Sequence, residues 1–109
     1  MEPRLVRHAE VIPVEAVPGI CRRTLAWGER AMVLESTFEA GAELQAHSHP
    51  HEQITYVVSG ELEIRLGDEA HILCPGDSLF VPGGVRHAAA ARTESVAVDA
   101  FSPPREDLK

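Results

Sequence analysis

Cysteine, basic runs and long apolar stretches are all scarce in this chain, and each scarcity excludes something. Two cysteines, Cys21 and Cys74, in 109 residues cannot make a disulfide framework. Cys74 closes an apolar run and reads as a buried free thiol. Ten Lys and Arg stand against 17 Asp and Glu, a net charge of −7. With no basic cluster to offset that balance, nucleic acid is not an expected partner. No stretch approaches the roughly 20 apolar residues of a membrane span. The opening Met1-Glu2-Pro3-Arg4-Leu5-Val6-Arg7-His8 has no apolar core for a signal peptide, so the expected location is cytoplasmic. A long run at helical period is also missing. The 44% of residues that are hydrophobic suffice for one modest core, hence a single domain over 1–109, with 1–18 as an N-terminal arm or strand.

The chain does hold many short strand signals. Glu61 to Leu66 alternates polar and apolar, which places Leu62, Ile64 and Leu66 inward. Gly67-Asp68 makes a two-residue hairpin, and Ala70, Ile72 and Cys74 are expected to resume the apolar face on the return strand. Pro75-Gly76-Asp77 is a turn. Leu79-Phe80-Val81 reads as a short buried strand stopped by Pro82-Gly83-Gly84. Ile54 to Val58 is β-branched and aromatic and ends at Ser59-Gly60. Ile20 to Trp27, Ala31 to Phe38 and Ser95 to Phe101 are further strands, and Arg105 to Leu108 allows one short turn. Short strands punctuated by turns predict an all-β sandwich or barrel.

Histidines carry the chemistry. In His47-Ser48-His49-Pro50-His51-Glu52-Gln53, alternate side chains of an extended strand leave one face, so His47 and His49 can reach one ion together. Gln53 follows from beyond a bend at Pro50, and His87 arrives after the Pro- and Gly-rich turn. Three imidazoles and an amide oxygen suit one divalent transition metal, such as Zn, Ni, Mn or Fe. His51 either competes with Gln53 or packs beside the site, and the second is preferred. His71, on the polar face of its strand, is expected to be solvated, and His8 to lie in the terminal arm. Gln53 adds no charge, so a divalent ion bound here keeps its full +2 and acts as a stronger Lewis acid. The same feature tilts the reading away from oxygen chemistry. In the ending Val98-Asp99-Ala100-Phe101-Ser102-Pro103-Pro104-Arg105-Glu106-Asp107-Leu108, Asp99 and Phe101 share a face. A carboxylate on the interior face is costly unless paired or used. Arg105 can pair with Asp99 or with a ligand's carboxylate, and the residues leave both open.

These segments resemble cupins. Gly41, His47, His49 and Gly60 fall at the spacing of the first cupin motif (41–60), with Gln53 where Glu is usual. Gly76, Pro82, Gly84 and His87 fit the second (76–91), with Ala91 in place of its final Asn. The resemblance implies a small double-stranded β-helix, a relative of the jelly roll, and a homodimer as a common assembly. From about Gly19 to Leu108 the chain is similar to the pectin-degradation cupins that linearise unsaturated uronates. That likeness implies metal ligands at His47, His49, Gln53 and His87, and functional roles for Asp99, Phe101 and Arg105.

The implied reaction opens an unsaturated galacturonate or related uronate to a linear keto-deoxyuronate, in pectin or alginate breakdown, without net redox. Asp99 would transfer the proton, Arg105 orient the carboxylate of the small anionic substrate, and Phe101 wall off bulk water. The alternatives are a cupin polyketide cyclase, which needs a larger apolar pocket, an iron-dependent dioxygenase, and a non-enzymatic sugar- or metal-binding cupin.

Overall fold

A computed structural model describes residues 2–109. The strands are β1 (Val14–Val17), β2 (Ile20–Trp27), β3 (Met32–Phe38), β4 (Glu43–His47), β5 (Glu52–Ser59), β6 (Leu62–Leu66), β7 (Glu69–Leu73), β8 (Ser78–Val81), β9 (His87–Ala91) and β10 (Ser95–Ser102). Single 3-10 turns lie at His8–Glu10 and Glu106–Leu108, the second on the segment expected to turn. One sheet runs β1-β2-β3-β10-β5-β8 and the other β4-β9-β6-β7. Every ladder is antiparallel. This is the all-β, jelly-roll-like arrangement expected.

Alternation decides what the two sheets enclose. Along β3, Met32, Leu34, Ser36 and Phe38 are buried and the residues between them are not. One apolar cluster gathers Ile20, Phe38, Val57, Leu62, Ile64 and Leu73. A second gathers Met32, Leu34 and Phe101, with Trp27 and Leu108 packed against it. The tail is tied down there. Thr24 Oγ1 donates to the Leu108 carbonyl, and Arg4 and Lys109 both lie over the Trp27 ring, 4.1 and 4.0 Å from its centroid. Such cation–π contacts fasten both ends of the chain to one aromatic side chain.

Two facing expectations are corrected, and a third strand adds a facing of its own. The Gly67-Asp68 hairpin pairs Leu66 with Glu69, Ile64 with His71 and Leu62 with Leu73. Directly opposed residues share a face, so His71 and Leu73 turn inward with β6, while Ala70, Ile72 and the exposed Cys74 turn out. His71 is accordingly half-buried at the edge strand and lies 3.5 Å from Glu69. Second, the Leu79-Phe80-Val81 run is not buried throughout: Val81 is fully buried but Phe80 is 49% exposed. Third, β5 buries Gln53, Thr55 and Val57 and exposes Ile54, Tyr56 and Val58. Its apolar residues dominate the outer face because the inner face holds polar groups.

The turn between β8 and β9 presses on the loop between β4 and β5. Gly84 N–H donates to the His49 carbonyl at 2.8 Å, and a Cβ on Gly83 would stand 2.3 Å from the Pro50 carbonyl oxygen. Gly83→Ala must therefore push the two loops apart. Overpacking of this kind costs about 1–3 kcal/mol, and a lowered denaturation midpoint by circular dichroism is the expected result.

Candidate metal centre and cavity

His47, His49 and His87 offer ligand atoms that all lie within 4.8 Å of one another. They arrive by different routes. β4 pairs with β9, and an irregularity in its register between Leu44 and His47 lets both residues, three apart, meet inward-facing partners: Leu44 lies opposite Ala89 and His47 opposite His87. His49 is not on a strand, contrary to the expected alternation. β4 stops at His47, and Pro50, which lacks an N–H, keeps the chain from continuing the ladder. The Gly84–His49 backbone bond and the bend bring His49 back to its neighbours instead. Gln53 enters from β5, on the opposite sheet.

Each ring is held by the nitrogen that faces away from the cluster. Nδ1 of His47 lies 2.9 Å from the Gln45 carbonyl, that of His87 2.8 Å from Val85, and that of His49 3.2 Å from His51. Carbonyls only accept, so Nδ1 carries the proton in all three and Nε2 keeps its lone pair, the arrangement that orients histidine ligands in metal sites. His87 Nε2 is buried with no hydrogen-bond partner. His49 Nε2 sits 3.0 Å from Gln53 Oε1, two acceptors facing each other, because the Gln53 amide nitrogen is committed to Thr55 Oγ1 at 3.0 Å and Asp99 Oδ1 at 3.3 Å. An orphaned lone pair and an acceptor–acceptor contact are what a cation would satisfy, so the donor set fits a metal ion. Burial first, and then the charge of Arg105, holds the His49 pKa below its ordinary value; burial does the same for His87. Both are therefore neutral, ligand-competent imidazoles at neutral pH. His51 lies outside the ligand cluster, with its ring 5.5 Å from that of His49.

Asp99 stands next to this centre. Its carboxylate accepts from Thr55 Oγ1 at 2.5 Å as well as from Gln53. The exposure that Asp99 retains is toward a cavity between the sheets. Burial raises its pKa to about 6, against the opposing pull of Thr55, Gln53 and Arg105. Phe101 is buried two residues on, 5.6 Å from the His49 ring. Arg105 reaches the same cavity but forms no pair with Asp99. It donates through Nε and Nη2 to both oxygens of Asp107, at 3.1 and 2.9 Å, and its guanidinium lies 5.3 Å from the Phe101 ring centre. That bidentate pair occupies one edge of the fork and leaves Nη1 free.

The cavity measures about 230 Å³. Its walls include Ile20, Leu34, Phe38, Leu44, Leu62 and Ile64, and its polar end holds His47, Gln53, Thr55, His87, Asp99 and Arg105. Thr55, Ser36 and Arg22 also line it, and none was singled out in the sequence. The signal was present: Gln53, Thr55 and Val57 alternate on one strand, as do Ile20 and Arg22 on another, so an inward Gln53 or Ile20 implies an inward Thr55 or Arg22.

Comparison with known proteins bears on this geometry. Residues 34–101 match the Cupin_2 family, a cupin domain. The pectin degradation protein KdgF of Dickeya dadantii (strain 3937) is 35% identical over 92 residues, 83% of this chain and 84% of that protein. KdgF from Halomonas sp., a solved structure, superposes with a TM-score of 0.93 at 34% identity, covering 99% of this chain and 100% of that one. An RmlC-like cupin from Shewanella frigidimarina NCIMB 400 does so with a TM-score of 0.92 at 32% identity, over 99% and 97%.

Metal uptake can be read directly by calorimetric titration and elemental analysis. His47→Ala and His49→Ala are expected to abolish binding while leaving a folded β protein. Thr55→Val removes the hydroxyl that aims the Gln53 amide, and should weaken divalent-ion affinity about 10–100-fold, the usual effect of losing a ligand's supporting hydrogen bond.

Proposed function

This chain belongs to the cupin-domain family, and we propose that it is a metal-dependent enzyme that linearises an unsaturated uronate, with galacturonate the first candidate. The observation that carries the reading is the placement of a buried carboxylate, Asp99, and a guanidinium, Arg105, on one side of a neutral four-ligand set, His47, His49, Gln53 and His87. The similarity to a pectin degradation protein supports the choice of substrate. The cavity volume of about 230 Å³ lies below the roughly 300–1,000 Å³ of drug-sized pockets. It suits one sugar ring better than the extended chain that a polyketide cyclase must fold.

The reaction balances without an oxidant. The anomeric hydroxyl gives up its proton, the ring C1–O5 bond breaks to leave an aldehyde at C1, and an enolate oxygen remains on C5. A proton delivered to C4 then gives the ketone. One divalent ion, drawn from Zn, Ni, Mn or Fe, would supply Lewis-acid stabilisation of oxygen charge at its full +2, since none of the four ligands is anionic. Asp99 moves the proton. Its position inside the cavity keeps the carboxyl poised between its two protonation states, as acid–base catalysis requires. Arg105, held from behind by Asp107, turns its free edge to the sugar oxygens. Phe101 excludes water from the polar end and fixes the plane of Arg105.

Two features bear on setting. Both cysteines are free, which fits a reducing compartment such as the cytoplasm. Ile54, Tyr56 and Phe80 form an exposed apolar surface on the outer face of the six-stranded sheet, with Ile54 directly opposite Phe80. Surfaces of this kind mark association sites, and pairing of two copies over this face is the proposed assembly. Light scattering should then give twice the chain mass, and Tyr56→Glu should return it to the monomer value.

Incubating the metal-loaded protein with unsaturated galacturonate should bleach the ultraviolet absorbance of the conjugated double bond, at the same rate with and without oxygen. Stoichiometric oxygen uptake would move the protein to the dioxygenases. Asp99→Asn keeps the shape and most hydrogen bonds and removes the titrating group. A fall in kcat of about 10²–10⁴-fold with unchanged metal content is expected. A variant that is less stable yet turns over at the wild-type rate would leave Asp99 a structural residue.

A further inference from the structure

We propose that Arg22, with Ser36 beside it, is the carboxylate anchor of the cavity. The inference rests on the uronate reading for the identity of the sugar but not for the anion itself. Arg22 and Arg23 are adjacent on β2 and so point to opposite faces. Arg23 turns outward, 3.6 Å from Glu35, and donates to the Val11 carbonyl. Arg22 turns inward and lines the cavity. Among the described residues it is the one arginine that is neither exposed nor paired with an acidic group. Its neighbours on that wall include Ile20, Leu34 and Phe38, a setting in which an uncompensated guanidinium is unfavourable unless an anion meets it.

The ladder fixes where that anion would sit. Arg22 is opposite Ser36, and Ser36 is opposite Ala97. Asp99 is two residues along from Ala97, roughly 7 Å at strand rise. Ser36 is buried and lines the cavity beside Arg22. A guanidinium fork and a serine hydroxyl thus lie one layer from the proton-transferring group, on strands β2 and β3 rather than those that carry the ligand cluster. Arg105 is less available for the same task, because Asp107 already fills its bidentate edge. The arrangement splits the work: Arg22 takes the carboxylate, while Arg105 faces the oxygens near the reacting carbons.

The test is binding of stable probes to the metal-loaded protein by calorimetry, using galacturonate against its methyl ester and benzoate against methyl benzoate. Wild-type protein is expected to favour the free acid about tenfold or more, as loss of a charge-assisted hydrogen bond implies. Arg22→Gln keeps length and polarity, and should bring the ratio close to one with metal content and thermal midpoint unchanged. Arg22→Lys should retain part of it, as a point charge without the planar fork. Discrimination of benzoate but not of galacturonate, lost in Arg22→Gln, would uphold the anchor and overturn the uronate reading. Discrimination that survives in Arg22→Gln, or that wild type shows for neither pair, would overturn the anchor.

Discussion

The hydrogen bonds that Thr55 and Gln53 give to Asp99 govern the rest of the site. A carboxylate between two β-sheets must be hydrogen-bonded to be tolerated, and here both donors come from β5, the strand paired with β10 across the Thr55–Asp99 register. Thr55 can serve only by accepting from Gln53 while donating to Asp99. Gln53 can serve only with its amide nitrogen turned to β10, which leaves its oxygen facing His49. The direction of every polar bond then follows from one buried charge. On β4, β9 and the loop after β4 the same logic runs through backbone carbonyls, which take the Nδ1 protons and leave three Nε2 lone pairs converging. Networks of this kind are rigid when complete. The three Nε2 lone pairs and the Gln53 oxygen are the groups this one leaves for a cation.

The apolar clusters on either side explain why the network sits where it does. Ile20, Phe38, Val57, Leu62 and Ile64 close one end of the sandwich, and Met32, Leu34 and Phe101 close the other with Trp27 and Leu108. The C-terminal tail belongs to the second cluster. It carries Arg105 into the cavity wall and is fastened to Thr24 and Trp27. A chain of 109 residues has little core to spare, yet it places Ser36, Gln53, Thr55 and Asp99 on interior faces that apolar residues could fill.

Much of this was legible before any coordinates. Most strand positions followed from alternation and turn residues, though β4 and β9 did not, and the converging histidines followed from motif spacing. The errors of facing share one cause. Hydrophobicity was read as inwardness on β7 and β8, and Ala70, Ile72 and Phe80 reverse the rule there. The Leu66–Glu69 pairing that a two-residue hairpin imposes already implied that Ala70 and Ile72 face away from Leu62 and Ile64; register outranks composition there. On β5 the polar Gln53 and Thr55 point in and Ile54, Tyr56 and Val58 point out, because the interior there is a cavity with a polar end. The register irregularity in β4 and the loop position of His49 were not legible, since a bulge depends on the partner strand as much as on local residues.

A net charge of −7 is an unlikely starting point for binding an anion, and the placement of the few cations resolves the conflict. Exposed arginines such as Arg65 and Arg92 lie beside Glu63 and Glu61 and contribute little to the field. Arg22 and Arg105 line the cavity, where low-dielectric walls focus potential and surface carboxylates are screened by solvent. Arg105 is itself paired with Asp107, so Arg22 is the cavity's one cation without an acidic partner among the described residues. Inside, the field also acts on Asp99: burial favours its neutral form, while Arg105, Thr55 and Gln53 favour the carboxylate, and any bound dication adds to the second group. A carboxyl held between opposing influences of this size changes its proton occupancy when a substrate's charge enters beside it. On the proposed reading, binding of the anion and readiness to move a proton would be coupled through one small polar space.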